Sequence, residues 1–136
     1  MKDRIVTVAE SGNGPFGQYV TTGHHVLGAD ELEALGGRDT GPDPYELLLG
    51  GLGACTAMTL RLYANRQKWP LEHVGVTLRH TRAAAHQSGV KDSFERRILL
   101  KGNLSEEQMQ KLIEIAGRCP VSRTLEHGAD METSLA

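Results

Sequence analysis

With 136 residues, a formal net charge of −2 and 24% charged side chains, the chain has the size and balance of one ordinary globular domain spanning 1–136. No concentrated basic face is present, so neither a nucleic acid nor an anionic membrane is an expected partner. Glycine is abundant, at 16 residues, and no internal repeat, low-complexity tract or interdomain linker interrupts the sequence.

The opening segment, Met1-Lys2-Asp3-Arg4-Ile5-Val6-Thr7-Val8, carries charge, and neither an apolar core nor a small-residue cleavage site follows it. No secretory signal is read there, and a cytoplasmic location is expected. The first third alternates β-prone runs with turns: Ile5 to Val8, Gln18 to Thr22, and His25 to Leu27. It predicts an antiparallel meander. Gly12-Asn13-Gly14-Pro15-Phe16-Gly17 matches the dinucleotide fingerprint G-x-G-x-x-G, but that motif must open a helix, and Gln18 to Thr22 is strand-like. A hairpin turn is the better reading.

After the loop from Gly36 to Pro44 comes the most apolar stretch, Leu47 to Leu60, which carries no charge. Its 14 residues are too few to span a bilayer, and no membrane association is expected. Leu47, Leu48, Leu49, Leu52, Ala54, Cys55, Ala57, Met58 and Leu60 cover every face of a helical wheel. Such a helix needs cover on all sides, which a single small chain supplies poorly, so an obligate homodimer with this helix at its centre is expected. The helix should continue to Lys68 and stop at Trp69-Pro70.

Two amphipathic strands follow, His73 to Arg82 with Val74, Val76 and Leu78 on one face, and Phe94 to Lys101 with Phe94, Ile98 and Leu100 on one face. The loop Ala83 to Asp92 joins them. Ser105 and Gln108 form a predicted capping box, with Leu104 and Met109 as its hydrophobic staple. Met109, Leu112, Ile113 and Ala116 then mark one buried helix face. Asn103-Leu104-Ser105 also matches a glycosylation sequon, but without a secretory signal Ser105 reads as a cap. Pro120 opens a short helix closed by Gly128, and Met131 to Leu135 suggests an edge strand. The order β-β-β-α-β-β-α indicates an α+β domain.

The two cysteines, Cys55 and Cys119, are 64 positions apart, which fits neither zinc binding nor a C-x-x-C redox turn. A long-range pair remains, free or bridged, and many such cysteines are packing residues. A thiol is nucleophilic as its thiolate, so a buried Cys55 needs a cation or oriented donors nearby. Cys119 falls at the N-cap of the Pro120 helix, where the dipole and free N–H groups favour negative sulfur. Glu46 lies nine positions before Cys55, on the opposite face of a straight helix and about 13 Å along its axis. Either Gly50, Gly51 and Gly53 bend the chain, or Glu46 acts across a dimer interface, or it is a first-turn acid favoured by the dipole.

The run Asp43-Pro44-Tyr45-Glu46-Leu47-Leu48-Leu49-Gly50-Gly51-Leu52-Gly53-Ala54-Cys55-Thr56-Ala57-Met58, with Arg118-Cys119-Pro120-Val121-Ser122-Arg123-Thr124-Leu125, resembles the OsmC/Ohr family of thiol peroxidases, in its OsmC-like branch. The resemblance implies an intertwined homodimer with antiparallel sheets flanking long central helices and active sites at the subunit interface. It implies a cysteine-based hydroperoxide reductase in oxidative stress defence, with Cys55 peroxidatic and Cys119 resolving, and needing no cofactor. Its substrate would be an organic or fatty-acid hydroperoxide, and a dithiol or lipoyl-type reductant would restore the thiols. The family places a glutamate directly after the proline, where Tyr45 stands here, and Glu46 is one step later. No arginine lies between Gly12 and Gly28, so Arg38, in the loop before the helix, is the candidate for the active-site cation.

Two other readings stand beside this one. The chain could be a non-catalytic dimeric module that binds an apolar small molecule between its long helices. Alternatively, Cys55 with His127 and Asp130 could carry acyl transfer or hydrolysis. The six histidines, His24, His25, His73, His80, His86 and His127, show no metal-binding spacing.

Overall fold

The computed structural model describes residues 4–84 and 89–136; the start of the N-terminal segment and four positions of the Ala83 to Asp92 loop, His86 among them, lie outside the described residues. The element order is β1 (Thr7–Glu10), β2 (Gln18–Thr22), β3 (His25–Ala29), a single 3-10 turn (Glu33–Leu35), α1 (Pro44–Gln67), β4 (Leu71–Thr81), β5 (Ser93–Gly102), α2 (Glu106–Ala116) and α3 (Pro120–His127). This is the α+β arrangement expected, with antiparallel sheets and one long helix. The chain forms two compact units, Met1–Leu48 and Leu49–Ala136.

In the first unit β1, β2 and β3 pair in sequence order as an antiparallel sheet. Glu10 pairs with Gln18, so the Gly12 to Gly17 segment closes a hairpin and a strand follows it, as the β-branched run predicts. Thr22 pairs with His25 across a tight turn in which Gly23 takes φ +57°. β1 begins two residues later than its apolar run suggests, because Ile5 is 81% exposed and has no strand opposite it. Beyond β3 the chain is organised by Asp30. Its buried carboxylate accepts hydrogen bonds from the N–H groups of Glu31, Arg38 and Thr40 and from the Thr40 hydroxyl, the last at 2.6 Å.

α1 is capped by Asp43 and runs without interruption to Gln67. Lys68 then turns into the left-handed region at φ +58°, and the Trp69 N–H returns to the Ala64 carbonyl at 2.9 Å. With 24 residues the helix is long and apolar enough, by length and composition alone, to cross a membrane. Its inner face instead belongs to a protein core. Leu60 and Ala64 are buried with Leu71 of β4 and with Leu112, Ile115 and Ala116 of α2. Gly53 allows the close approach to β4, since a side chain there would meet a Leu78 methyl at 2.7 Å.

The buried positions of α1, Leu52, Gly53, Thr56, Leu60 and Ala64, follow a four-residue spacing that marks one stripe. Within the single chain the remaining faces stay open, with Met58 70% and Leu62 51% exposed. β4 and β5 pair over ten positions, with an irregularity between Leu71 and His73. Their inner faces carry Val74, Ile98 and Leu100 onto the core. The capping box of α2 is present in full: Gln108 N–H to Ser105 Oγ at 3.1 Å and Ser105 N–H to Gln108 Oε1 at 2.8 Å.

The expected edge strand from Met131 to Leu135 does not form. Met131 and Leu135 are 91% and 99% exposed, and short alternation without a partner strand leaves its backbone to water.

Candidate active site

Cys55 lies midway along α1 on a half-buried flank, one residue before the fully buried Thr56. Cys119 is the N-cap of α3 and is wholly enclosed. Pro120 occupies the first helical position, where its missing N–H is no loss, and the N–H groups of Val121 and Ser122 face the sulfur. As a neutral thiol Cys119 makes no cap hydrogen bond; as a thiolate it gains these donors. The fold brings the two cysteines close enough for each to act on the other's ionisation, and both are free thiols.

The two sulfurs are not equivalent. Burial pushes the Cys55 thiol up, its hydrogen bond to Cys119 adds to the rise, and the Val121 N–H and Thr59 hydroxyl only partly oppose it. Burial also acts to raise Cys119. There it is outweighed by donation from the Cys55 thiol, from the N–H groups of Ser122 and Val121 and from the Thr56 hydroxyl, so Cys119 falls below the ordinary cysteine range. Of the two, Cys119 is therefore the readier to ionise.

A residue absent from the sequence-level candidates stands beside the pair. Arg96, on the inner face of β5, donates through Nη1 to Thr56 Oγ1 and to the Ala116 carbonyl, both at 3.1 Å, and through Nη2 to Ser122 Oγ at 3.1 Å. Ser122 Oγ in turn donates to Glu126 Oε1 at 3.3 Å. Among the described residues the ion pairs are Arg79–Glu95, His80–Asp92 and Lys111–Glu114, and Arg96 belongs to none of them. A sequence signal for it did exist. Arg96 has the parity of Phe94, Ile98 and Leu100, so it is an arginine on a strand face otherwise turned to the core.

Arg38 and Glu46 belong to the first unit. The Arg38 N–H donates to Asp30 Oδ2 at 3.3 Å, and its aliphatic stem lies over Gly14, where a Cβ would meet Cδ at 2.8 Å. Glu46 forms a capping box with Asp43: Glu46 Oε1 accepts the Asp43 N–H at 3.0 Å and Asp43 Oδ1 accepts the Glu46 N–H at 2.7 Å. Of the three roles left open for Glu46, the single chain displays the first-turn one. Both side chains are exposed in the single chain. His127 Nδ1 is engaged by the Arg123 carbonyl at 2.7 Å, within its own helix.

Next to the pair, an open cleft of about 700 Å³ is lined by Leu52 of α1, Phe94 and Arg96 of β5, and Ser122, Leu125 and Glu126 of α3 among others. Its lining is about as polar as apolar, with Lys91, Asp92 and His127 beside the groups already named. Among the described residues no cluster of three or more His, Cys, Asp and Glu side chains is arranged to hold a metal ion.

A family model described as OsmC-like protein matches residues 37–134, a span that contains both cysteines and Arg96. The chain belongs to the OsmC/Ohr family. Solved structures of similar fold include an OsmC-like protein from Mycoplasma pneumoniae, at 19% identity and TM-score 0.78, covering 92% of this chain and 88% of that one. An organic hydroperoxide resistance protein from Legionella pneumophila is 26% identical with TM-score 0.72, covering 91% of this chain and 89% of that one. OhrB of Bacillus subtilis, also an organic hydroperoxide resistance protein, is 20% identical with TM-score 0.61, covering 90% of each chain. No curated protein matches the sequence. The OsmC/Ohr assignment agrees with the resemblance read from the two cysteine motifs.

Proposed function

We propose that this OsmC-family protein is a cytoplasmic, cysteine-based hydroperoxide reductase acting in oxidative stress defence. The observation that carries the reading is a pair of free thiols that act on each other's ionisation, half-exposed at Cys55 and enclosed at Cys119. The Legionella relative, named for organic hydroperoxide resistance, supports the substrate class. Leu52, Phe94 and Leu125 in the neighbouring cleft offer apolar contacts to the organic part of an organic or fatty-acid hydroperoxide.

In this reading Cys55 is peroxidatic and Cys119 resolving. The Cys119 thiolate takes the Cys55 proton and the Cys55 thiolate attacks the peroxide O–O bond; the distal oxygen stays on sulfur as a sulfenic acid and the other leaves as an alkoxide, which recovers that proton from Cys119 and departs as the alcohol. The Cys119 thiolate then attacks the Cys55 sulfenic sulfur, forming the disulfide and releasing hydroxide, which is protonated to water. A dithiol or lipoyl-type reductant restores both thiols by exchange and leaves as its own disulfide. A homodimer built on the exposed α1 residues Tyr45, Leu48, Met58 and Leu62 completes the site, with Glu46 and Arg38 as the charged residues it would contribute.

The test is the intact mass and non-reducing peptide map after one equivalent of an organic hydroperoxide. A loss of about two mass units with a linked Cys55–Cys119 peptide supports the cycle. Two thiols still reduced would remove it and favour a non-catalytic module that binds an apolar ligand.

A further inference from the structure

The three hydrogen bonds of Arg96 end on three different helices: Thr56 of α1, Ala116 at the end of α2, and Ser122 in the first turn of α3. These helices surround Cys119. The Ala116 carbonyl that receives Arg96 also accepts the Cys119 N–H at 3.3 Å, and Ser122 supplies one of the N–H groups facing the sulfur. One guanidinium thus ties together the groups that define the sulfur's position. A planar fork with fixed donors suits this better than a flexible ammonium.

We propose that Arg96 is a positioning residue for the cysteine pair, acting through Thr56: it holds the Thr56 oxygen so that the hydroxyl proton is available to Cys119 Sγ when that sulfur is ionised. The assignment rests on the redox-pair reading above and adds the groups that prepare the resolving thiol.

The geometry at Thr56 supports it. In the neutral pair the hydroxyl donates to the Leu52 carbonyl one helical turn back, at 2.7 Å, while accepting from Arg96 at 3.1 Å. With one lone pair engaged by a cation, the hydroxyl is polarised towards donation. The Leu52 carbonyl keeps its helical partner, the Thr56 N–H, when the hydroxyl turns away. Turning to Cys119 therefore orphans no buried acceptor, and a charge-assisted hydrogen bond replaces a neutral one. Arg96 itself lacks a carboxylate within ion-pair distance among the described residues, so its charge is not cancelled by a direct contact.

The groups that face the Cys119 sulfur are Cys55 and Thr56 from α1 and the Val121 and Ser122 N–H groups from α3. Arg96 reaches it through Thr56, and Glu126 only through Ser122. α2 contributes the Ala116 carbonyl and no titratable group.

The test reads the Cys119 thiolate by its ultraviolet absorbance against pH, in the full chain carrying Cys55→Ser and with no oxidant present. Adding Arg96→Gln is expected to raise the midpoint by about one pH unit, a tenfold change in the ionisation constant. Thr56→Val is expected to do the same, Thr56→Ser to keep the original midpoint, and the Arg96→Gln, Thr56→Val double variant to shift no further than either single one. A folded Arg96→Gln protein with an unchanged midpoint overturns the proposal. So does a Thr56→Ser shift equal to that of Thr56→Val, which would assign the effect to packing. Should Arg96→Gln fail to fold, the Thr56 pair decides alone. Because the titration needs no peroxide, a protein that shows these shifts yet forms no disulfide would sink the reductase reading and leave the Arg96 assignment intact.

Discussion

Cys55 on α1 and Cys119 at the start of α3 act on each other's ionisation in opposite directions, set by what surrounds each sulfur. Cys119 has the helix N-terminus and the Thr56 hydroxyl. Cys55 has burial and the neighbouring Cys119, both of which raise it. The pair therefore behaves as a single acid with two separated steps.

The thiol titration of the unmodified protein should show that separation. One thiolate is expected below the ordinary cysteine range and the second above it, read by ultraviolet absorbance against pH. The sign for stability follows from each shift. Cys119, depressed on folding, contributes stability above the unfolded cysteine pKa of about 8.5, lost as pH falls through its folded value. Cys55, raised on folding, has the opposite effect: the folded state is favoured at low pH and penalised as pH rises past that same unfolded value. Two overlapping steps near the unperturbed value would contradict the asymmetry.

Substituting each cysteine should separate the half-reactions. Cys55→Ser is expected to abolish peroxide consumption. Cys119→Ser is expected to consume one equivalent and stop, with a sulfenic acid on Cys55 detected by mass. Continued turnover in Cys55→Ser would remove the peroxidatic assignment.

The open face of α1 gives a prediction on assembly. Met58, 70% exposed in the single chain, is expected to be covered by a second copy, so Met58→Asp should convert a sedimenting dimer to monomer. A protein monomeric before the substitution would end the dimer proposal.

Packing under the site predicts stability. Leu60 is fully buried between α1, β4 and α2, and Leu60→Ala is expected to cost about 2–5 kcal/mol in urea unfolding. Ser105→Ala, which breaks the reciprocal cap of α2, should cost about 1 kcal/mol. A Leu60→Ala loss no larger than the Ser105→Ala loss would contradict the core described here.

Asp30 gives a second pH signature, in the first unit. The Thr40 hydroxyl above all, with the Glu31, Thr40 and Arg38 N–H groups, holds its carboxyl below the usual range against the opposing effect of burial. Its contribution is present above the unfolded pKa of about 3.9 and is lost as pH falls through the lower folded value. Asp30→Asn should flatten the acid limb of the stability profile, and an unchanged limb would argue that these bonds are idle.

Much of this was legible in the sequence, for local reasons. Ser105 and Gln108 announce α2 because a capping box is written in four residues, and Cys119-Pro120 announces the N-cap of α3 in two. Strand parity ordered β4 and β5 onto the core. The same parity also puts Arg96 on the face of Phe94, Ile98 and Leu100, a charge on a strand face that is otherwise apolar. Its partners Thr56 and Ser122 lie 40 and 26 positions away, a relationship that exists only once α1 and α3 are packed. Glu46 shows the converse. Of the three roles left open for it, the first-turn one is displayed by the single chain, through a reciprocal cap with Asp43 three residues before it.

The enclosure of Cys119 also dictates how an oxidised pair would be recharged. In a Cys55–Cys119 disulfide the half-exposed sulfur is the one an incoming thiolate can strike, so Cys119 is expelled as the leaving group. Thiols of lower pKa are expelled faster. The donors that gather at the start of α3 would thus hasten the return of the pair to its reduced form, and a reductant would need to fit only the mouth of the site.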